Sequence, residues 1–123
     1  MNYMKLDVWQ QAIDLAVRVY LITMPFPRDE RYGLTTQMRR AAISVSSNIA
    51  EGEGRRTWRD RAHYYVQARG SLHEVETQLI IAERLHFCES AALLNNARKV
   101  GQLINGVLRN LQRQSKSRVA GSG

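Results

Sequence analysis

Apolar residues recur at spacings of three and four along nearly the whole chain, and strand-like alternation is absent. The first segment runs from about Lys5 to Thr23. Val8, Ala12, Leu15, Val19 and Ile22 form the seam expected of a helix in a bundle. A second stripe, Leu6, Trp9, Ile13, Ala16 and Tyr20, repeats beside it. A single four-helix bundle needs only one seam per helix, so the second predicts self-association. The alternative is that Trp9 and Tyr20 cover the ends of the bundle itself.

Met24-Pro25-Phe26-Pro27 ends this segment, because proline lacks an N–H and fixes φ. After a polar connector through Gly33, a second helix is predicted from Leu34 or Thr35 to Glu51. Leu34, Met38, Ala41, Val45 and Ile49 share its apolar stripe, and Arg40, Ser44, Ser47 and Glu51 its polar one. Ile43 and Ala50 lie off the apolar stripe and suggest a second contact surface. Asn48 borders the stripe, which predicts an amide bonded across a helix or subunit boundary. Glu51 falls on the Arg40 stripe, where a charge-assisted bond within or between chains is feasible. Gly52 and Gly54 are expected to end the helix in the left-handed conformation.

Thr57 suits the N-cap of a third helix, with Asp60 placed to bond back. Its seam is Arg61, Tyr65, Ala68, Leu72, Val75, Leu79, Ala82 and His86. Arg69, His73 and Glu76 on a neighbouring stripe either form a polar network or face water. After a turn at Phe87 to Ser90, a fourth helix is predicted from Ala91 to Gln114. Leu93, Ala97, Val100, Ile104, Val107 and Leu111 form its seam, and Arg98, Gln102, Asn105 and Arg109 its polar face. The predicted fold is all-α, an antiparallel up-down-up-down four-helix bundle that self-associates. Residues 1–114 form the bundle domain and 115–123 a disordered polar tail.

Composition sharpens this picture in two ways. The 123 residues hold 18 Lys and Arg against 11 Asp and Glu, a net charge of +7. Such a balance favours anionic partners, although charge alone names no ligand. Apolar runs fall far short of the roughly 20 residues that span a bilayer, and the N-terminus lacks a signal-peptide layout. With a lone cysteine, Cys88, the reading is a cytoplasmic protein with no membrane association.

Candidate catalytic chemistry is sparse. His63, His73 and His86 make no His-x-x-x-His pair, and Glu83-x-x-His86 stands alone, with no second such pair and no cysteine cluster, so no metal site is expected. Gly52-Glu53-Gly54-Arg55-Arg56 lacks the strand and the Gly-Lys-Ser/Thr ending of a phosphate loop. Neither Ser44 nor Ser47 has a histidine base in helical register. The chain is read as non-catalytic and cofactor-free.

The basic residues are more telling. Arg39, Arg40, Arg55, Arg56, Arg59 and Arg61 crowd the second helix and the turn after it, partly offset by Glu51, Glu53 and Asp60. Beyond Glu89 there is no acidic residue, while Arg98, Lys99, Arg109, Arg113, Lys116 and Arg118 all follow. Phosphate contact needs such donors without demanding base readout. Candidate nucleic-acid-binding residues are Arg39, Arg40, Arg55, Arg56, Arg59, Arg109 and Arg113. Candidate oligomer contacts are Trp9, Ile13, Tyr20, Ile43, Asn48 and Glu51. For each arginine the alternative is a salt bridge within the bundle or a solvated face.

Several runs appear in a recognisable order: Val8-Trp9-Gln10, Phe26-Pro27, Glu30-Arg31-Tyr32-Gly33-Leu34-Thr35 and Gln37-Met38-Arg39-Arg40-Ala41-Ala42. Ser47-Asn48-Ile49-Ala50-Glu51-Gly52, Gly54-Arg55, Gly70-Ser71 and Glu74-Val75-Glu76-Thr77-Gln78-Leu79 complete the set. Over residues 3 to 113 the chain resembles the bacterial four-helix bundle proteins of the 23S rRNA intervening-sequence family. The resemblance implies small antiparallel bundles assembled as ring-shaped homopentamers, some encoded inside insertions in large-subunit rRNA genes. It also implies kinship with accessory proteins of diversity-generating retroelements, which associate with a reverse transcriptase and nucleic acid. Ser46 stands where family members often carry proline, so the second helix is expected to be straighter. Most members have no established activity, and fold transfers more securely than role. The resulting functional expectation is a basic oligomeric bundle that binds nucleic acid, RNA in preference, through phosphate contacts and alongside a protein partner such as a reverse transcriptase. The alternative is a protein-interaction scaffold with no direct nucleic-acid role.

Overall fold

A computed structural model describes the backbone of residues 2–122 and the side chains of residues 2–117. Among these residues there are four α-helices and no strand. They are α1 (Asp7–Thr23), α2 (Leu34–Glu53), α3 (Trp58–Arg84) and α4 (Ala91–Ser122), with single 3-10 turns at Tyr3–Lys5 and Arg28–Glu30. α1 packs on α2, α2 on α3, α3 on α4 and α4 back on α1, so the four close a bundle around one core.

The predicted seams supply that core. Leu15 and Val19 of α1, Met38, Val45 and Ile49 of α2, Tyr65, Leu72 and Leu79 of α3, and Val100 and Ile104 of α4 are almost fully buried. At one end Phe26 stacks against Phe87 with ring centroids 5.4 Å apart, which ties the connector after α1 to the turn after α3. The α3 seam breaks only at its ends, where Arg61 is half-buried and His86 exposed.

Helix termini follow local chemistry, with three corrections to the sequence reading. Thr57 caps α3 as expected, its hydroxyl accepting from the Asp60 N–H at 3.1 Å. At α2 the cap comes from Glu30, whose carboxylate accepts the Leu34 N–H at 3.1 Å and favourably faces the positive end of the helix. A Cβ on Gly33 would stand 3.0 Å from that carboxylate oxygen, so glycine there keeps the cap in reach.

The first correction concerns Gly52, which does not end α2. It lies buried inside the helix, where a Cβ would meet Tyr64 Cβ at 3.2 Å and the Arg61 carbonyl at 3.3 Å. Gly52 is therefore a close-approach residue between α2 and α3. The second concerns Gly54, which caps the helix at φ −83° and not in the left-handed region. The left-handed terminus belongs instead to His86, at φ 63° after α3. There Phe87 N–H reaches the Ala82 carbonyl and His86 N–H the Glu83 carbonyl, both at 2.9 Å, the paired bonds of a Schellman motif.

The third correction is the length of α4. It continues past Gln114 to Ser122, because nothing between Gln114 and Gly121 interrupts a helix. The side chain of Arg118 and the whole of Gly123 lie outside the described residues. Ser46 fits inside an unbroken α2, its hydroxyl donating to the Ile43 carbonyl at 2.9 Å.

Candidate nucleic-acid interface

The short turn between α2 and α3 and the first turn of α3 carry Arg55, Arg56, Arg59 and Arg61. Gly52 lets α3 press against α2, and this closeness stacks the end of one helix over the start of the next. Glu53 sits in the crease. Tyr65 donates its hydroxyl to Glu53 Oε2 at 2.6 Å, and Arg61 Nη2 donates to Oε1 at 2.9 Å. The Glu53 side chain retains only 10% of its exposure, so the ion pair and the phenol bond compensate a carboxylate largely removed from water. Burial first, then the bond to Glu53 and its negative charge, push the Tyr65 phenol far above its ordinary range, so it remains a hydrogen-bond donor. Sequence reasoning placed Tyr65 and Arg61 on the seam and missed this cluster. The signal available was an apolar seam that ends in arginine beside a glutamate-bearing glycine turn.

Above this cluster the surface arginines divide into committed and uncommitted groups. Arg55 pairs with Glu51 at 3.0 Å, donates to the Tyr64 hydroxyl at 2.8 Å and lies over the Tyr64 ring at 4.7 Å. Arg59 lies over the Trp58 ring at 5.5 Å and has no carboxylate partner among the described residues. Arg56 is exposed and likewise has none. Arg109 and Arg113, one turn apart on α4, are also exposed without an ion pair among the described residues.

A cleft of about 590 Å³ joins these regions. Leu6 and Val8 at the start of α1, Glu53, Arg61 and Tyr65, and the stretch of α4 from Gln102 to Gln114 all line it. Arg109 stands on its rim. The start of α1, the α2–α3 turn and the later part of α4 thus meet at one end of the bundle, and they bring Arg56, Arg59, Arg109 and Arg113 to that end.

The remaining candidates lie elsewhere. Arg39 belongs to the α1–α2 contact: its Nε donates to Thr23 Oγ1 at 2.9 Å and its guanidinium covers the Tyr20 ring at 4.5 Å. Arg40 is exposed on the far stretch of α2, in a groove with Gln37, Ser71, Glu74 and Gln78. The expected Arg40–Glu51 bond is not made within the chain, because Glu51 turns one helical turn forward to Arg55. Nor does the Asn48 amide cross a helix boundary. It donates within α2, to the Ser44 carbonyl at 2.9 Å and the Ser44 hydroxyl at 3.0 Å, and Ser44 makes the crossing at 2.8 Å to Ser71. Arg69 joins neither His73 nor Glu76, but reaches across to Asn105 on α4 at 3.0 Å.

The second apolar stripe predicted on α1 is only partly exposed in the folded chain. Ala16 is buried in the core, and Leu6 and Trp9 pack against it. Ile13 is half-buried, and Ile43 on α2 is exposed. The outward apolar stripe is Val17, Tyr20, Leu21 and Met24, at 52%, 41%, 60% and 70% exposure. Their spacing of three, one and three was legible in the sequence but ran beside Asp14 and Arg18, which pair at 3.3 Å on the surface.

Among the described residues no group of three His, Cys, Asp or Glu side chains is placed to hold a metal ion. Nor, among the described residues, is any helix long and apolar enough to cross a membrane. Burial, with a lesser effect of the Glu83 charge, raises the Cys88 thiol above its ordinary value, so it stays protonated at neutral pH and is a poor nucleophile there.

A family model described as 23S rRNA-intervening sequence protein matches residues 4–106. The chain belongs to that family. None of the curated proteins compared with it matches. A crystal structure from Bacteroides thetaiotaomicron VPI-5482, of a protein of unknown function in the S23 ribosomal protein family, superposes with a TM-score of 0.74 at 19% identity. That match covers 82% of this chain and 97% of the other. At that identity the likeness concerns the fold, and the all-helical arrangement is shared.

Proposed function

We propose that this family member is a non-catalytic, oligomeric bundle that binds structured RNA through its phosphates, at the end of the bundle formed by the α2–α3 turn and α4. The observation that carries this reading is that the α2–α3 turn and the later part of α4, which meet at the cleft lined by Arg109, also carry Arg56, Arg59 and Arg113, all four exposed and without carboxylate partners among the described residues. In a chain of net charge +7, such a group attracts phosphate from a distance and holds it without reading sequence. Arg39 and Arg55 contribute less, since contacts of their own already occupy them.

The bundle in this reading is of the antiparallel up-down-up-down kind, closed into a homopentameric ring in the cytoplasm. A protein such as a reverse transcriptase is its partner. The count of five and this partner rest on the family resemblance. A ring would multiply the arginine patch and make phosphate binding multivalent. A second reading, a scaffold for another protein, is favoured by the exposed α1 stripe, which offers an apolar surface of the kind used in protein contacts.

Fluorescence anisotropy with a hairpin RNA over a salt series separates the two. Removing one arginine–phosphate pair should lower the salt slope by about 0.7–0.9. Substituting Arg56, Arg59, Arg109 and Arg113 by Ala should flatten the slope and weaken binding. An unchanged slope would place the interface elsewhere. No binding by the native protein at about 50 mM salt would leave the scaffold reading.

A further inference from the structure

The cleft beside the arginines has a chemistry that phosphate binding does not use. On α4 three stripes run side by side, each advancing by one helical turn. Leu103, Val107 and Leu111 form an apolar wall together with Leu6 and Val8 of α1. Gln102, Gly106, Asn110 and Gln114 form the next stripe. Arg109 and Arg113 form the third. The amides of Gln102, Asn110 and Gln114 are exposed and make no hydrogen bond among the described residues. Gly106 opens the middle of the cleft: a Cβ there would meet nothing closer than the Arg109 guanidinium at 3.8 Å. The Glu53–Arg61–Tyr65 cluster borders the opposite side and is held rigidly by its own bonds.

We infer that this cleft takes a single unpaired nucleobase of the bound RNA. The inference rests on the RNA-binding reading above and names what the same site recognises. A base needs flat apolar contact for its faces, donors and acceptors of amide type for its edge, and a cation near the adjoining phosphate. The three stripes of α4 provide these in that order across one helix face. At about 590 Å³ the cleft is within the range of small-molecule sites, roughly 300–1,000 Å³. A base already outside a helix costs less to place there than a paired one, so the preferred RNA carries a bulge or loop nucleotide.

The test uses the full chain and three hairpins of equal phosphate count: one with a bulged nucleotide, one with an abasic bulge, and one fully paired. The bulged hairpin should bind roughly five- to a hundredfold more tightly than the abasic one, the range of one hydrogen-bonded base-edge contact. Gly106→Leu, which fills the cleft from a position with room for a side chain, should remove this preference, so that the bulged and abasic hairpins bind alike. Asn110→Ala, an exposed change that leaves the fold intact, should reduce the preference.

Equal binding of bulged and abasic hairpins by the native protein would overturn the base pocket while leaving phosphate binding in place. Failure to bind any hairpin at low salt would overturn both readings. A preference that survives Gly106→Leu would put the base elsewhere. A change in sedimentation of Gly106→Leu would mean that a second copy occupies the cleft, and would overturn the assignment. Displacement of the bulged hairpin by an equal concentration of a nucleoside monophosphate would make the cleft a free-nucleotide site and overturn the assignment to RNA.

Discussion

Glu53, Arg61 and Tyr65 concentrate the electrostatic stakes of the molecule in three side chains. Removing the carboxylate in Glu53→Ala leaves a half-buried guanidinium and a buried phenol without an acceptor, at about 1–3 kcal/mol. Thermal denaturation should show that loss. Tyr65 also sets a pH dependence. Its phenol is held protonated in the fold, so the unfolded chain gives up that proton first. The contribution is complete below the unfolded value of about 10 and declines as pH rises above it. Stability of the native protein should therefore fall more steeply above that pH than stability of Tyr65→Phe; superimposable alkaline profiles would reject the assignment. His86 presents the opposite case, a residue with a Cβ at the left-handed position that the Schellman turn after α3 requires. A non-glycine residue at φ 63° costs about 1–2 kcal/mol, part of which glycine returns through chain entropy. His86→Gly should stabilise the fold by a net of about 0.5–1 kcal/mol, read as a higher melting temperature.

Helix against helix, three glycines make a graded experiment. Gly52 faces the Arg61 carbonyl and the Tyr64 Cβ at 3.2–3.3 Å, atoms fixed by α3. Gly52→Ala should push α2 from α3 and cost about 1–3 kcal/mol. Gly101 faces only the flexible end of Leu72 at 3.2 Å, so alanine there should cost less. Gly70 on α3 has nothing within 4 Å of a Cβ. Gly70→Ala should stabilise the protein by about 1 kcal/mol through helix propensity. Urea unfolding of the three variants checks the order, and a destabilised Gly70→Ala would show that another surface covers that position. The α2–α3 contact also carries the Ser44–Ser71 bond, with Asn48 folded back to hold Ser44. Small residues in this stretch of sequence thus serve a close helix crossing within the chain.

For the molecule as a whole, the exposed stripe on α1 dominates. Burying a side chain such as Leu or Met is worth about 1.5–3 kcal/mol, and Val17, Leu21 and Met24 are all more than half exposed. Leu21→Glu with Met24→Glu adds charge to a face that bears nothing of the core. Sedimentation should show the native chain as an oligomer and this variant as a smaller species with unchanged helical signal. If the native chain sediments as a monomer at micromolar concentration, self-association through α1 fails. If the variant remains oligomeric, a different face carries the assembly.

The order and kind of the four helices were legible in the sequence because each helix has a seam set by the 3.6-residue period, which needs no knowledge of its neighbours. Caps were legible where they were local, as at Thr57. The family could be read from runs of residues kept in order, and the sign of charge that a basic chain attracts from counting its ionised groups. What the sequence could not decide was every relation between residues far apart along the chain. Gly52 looked like a stop signal because glycine ends helices more often than it marks a crossing; only the position of α3 distinguishes the two. Glu51 and Arg40 share a stripe, yet eleven residues of helix separate them by about 16 Å, whereas Arg55 is one turn away. The inward or outward face of Tyr20, Leu21 and Met24 depended on where α2 lay. The cleft bounded by α1, Glu53 and α4 exists only once three distant segments meet. Periodicity specifies which side of a helix is apolar; the packing of the helices decides which apolar side is covered, and which charges find partners.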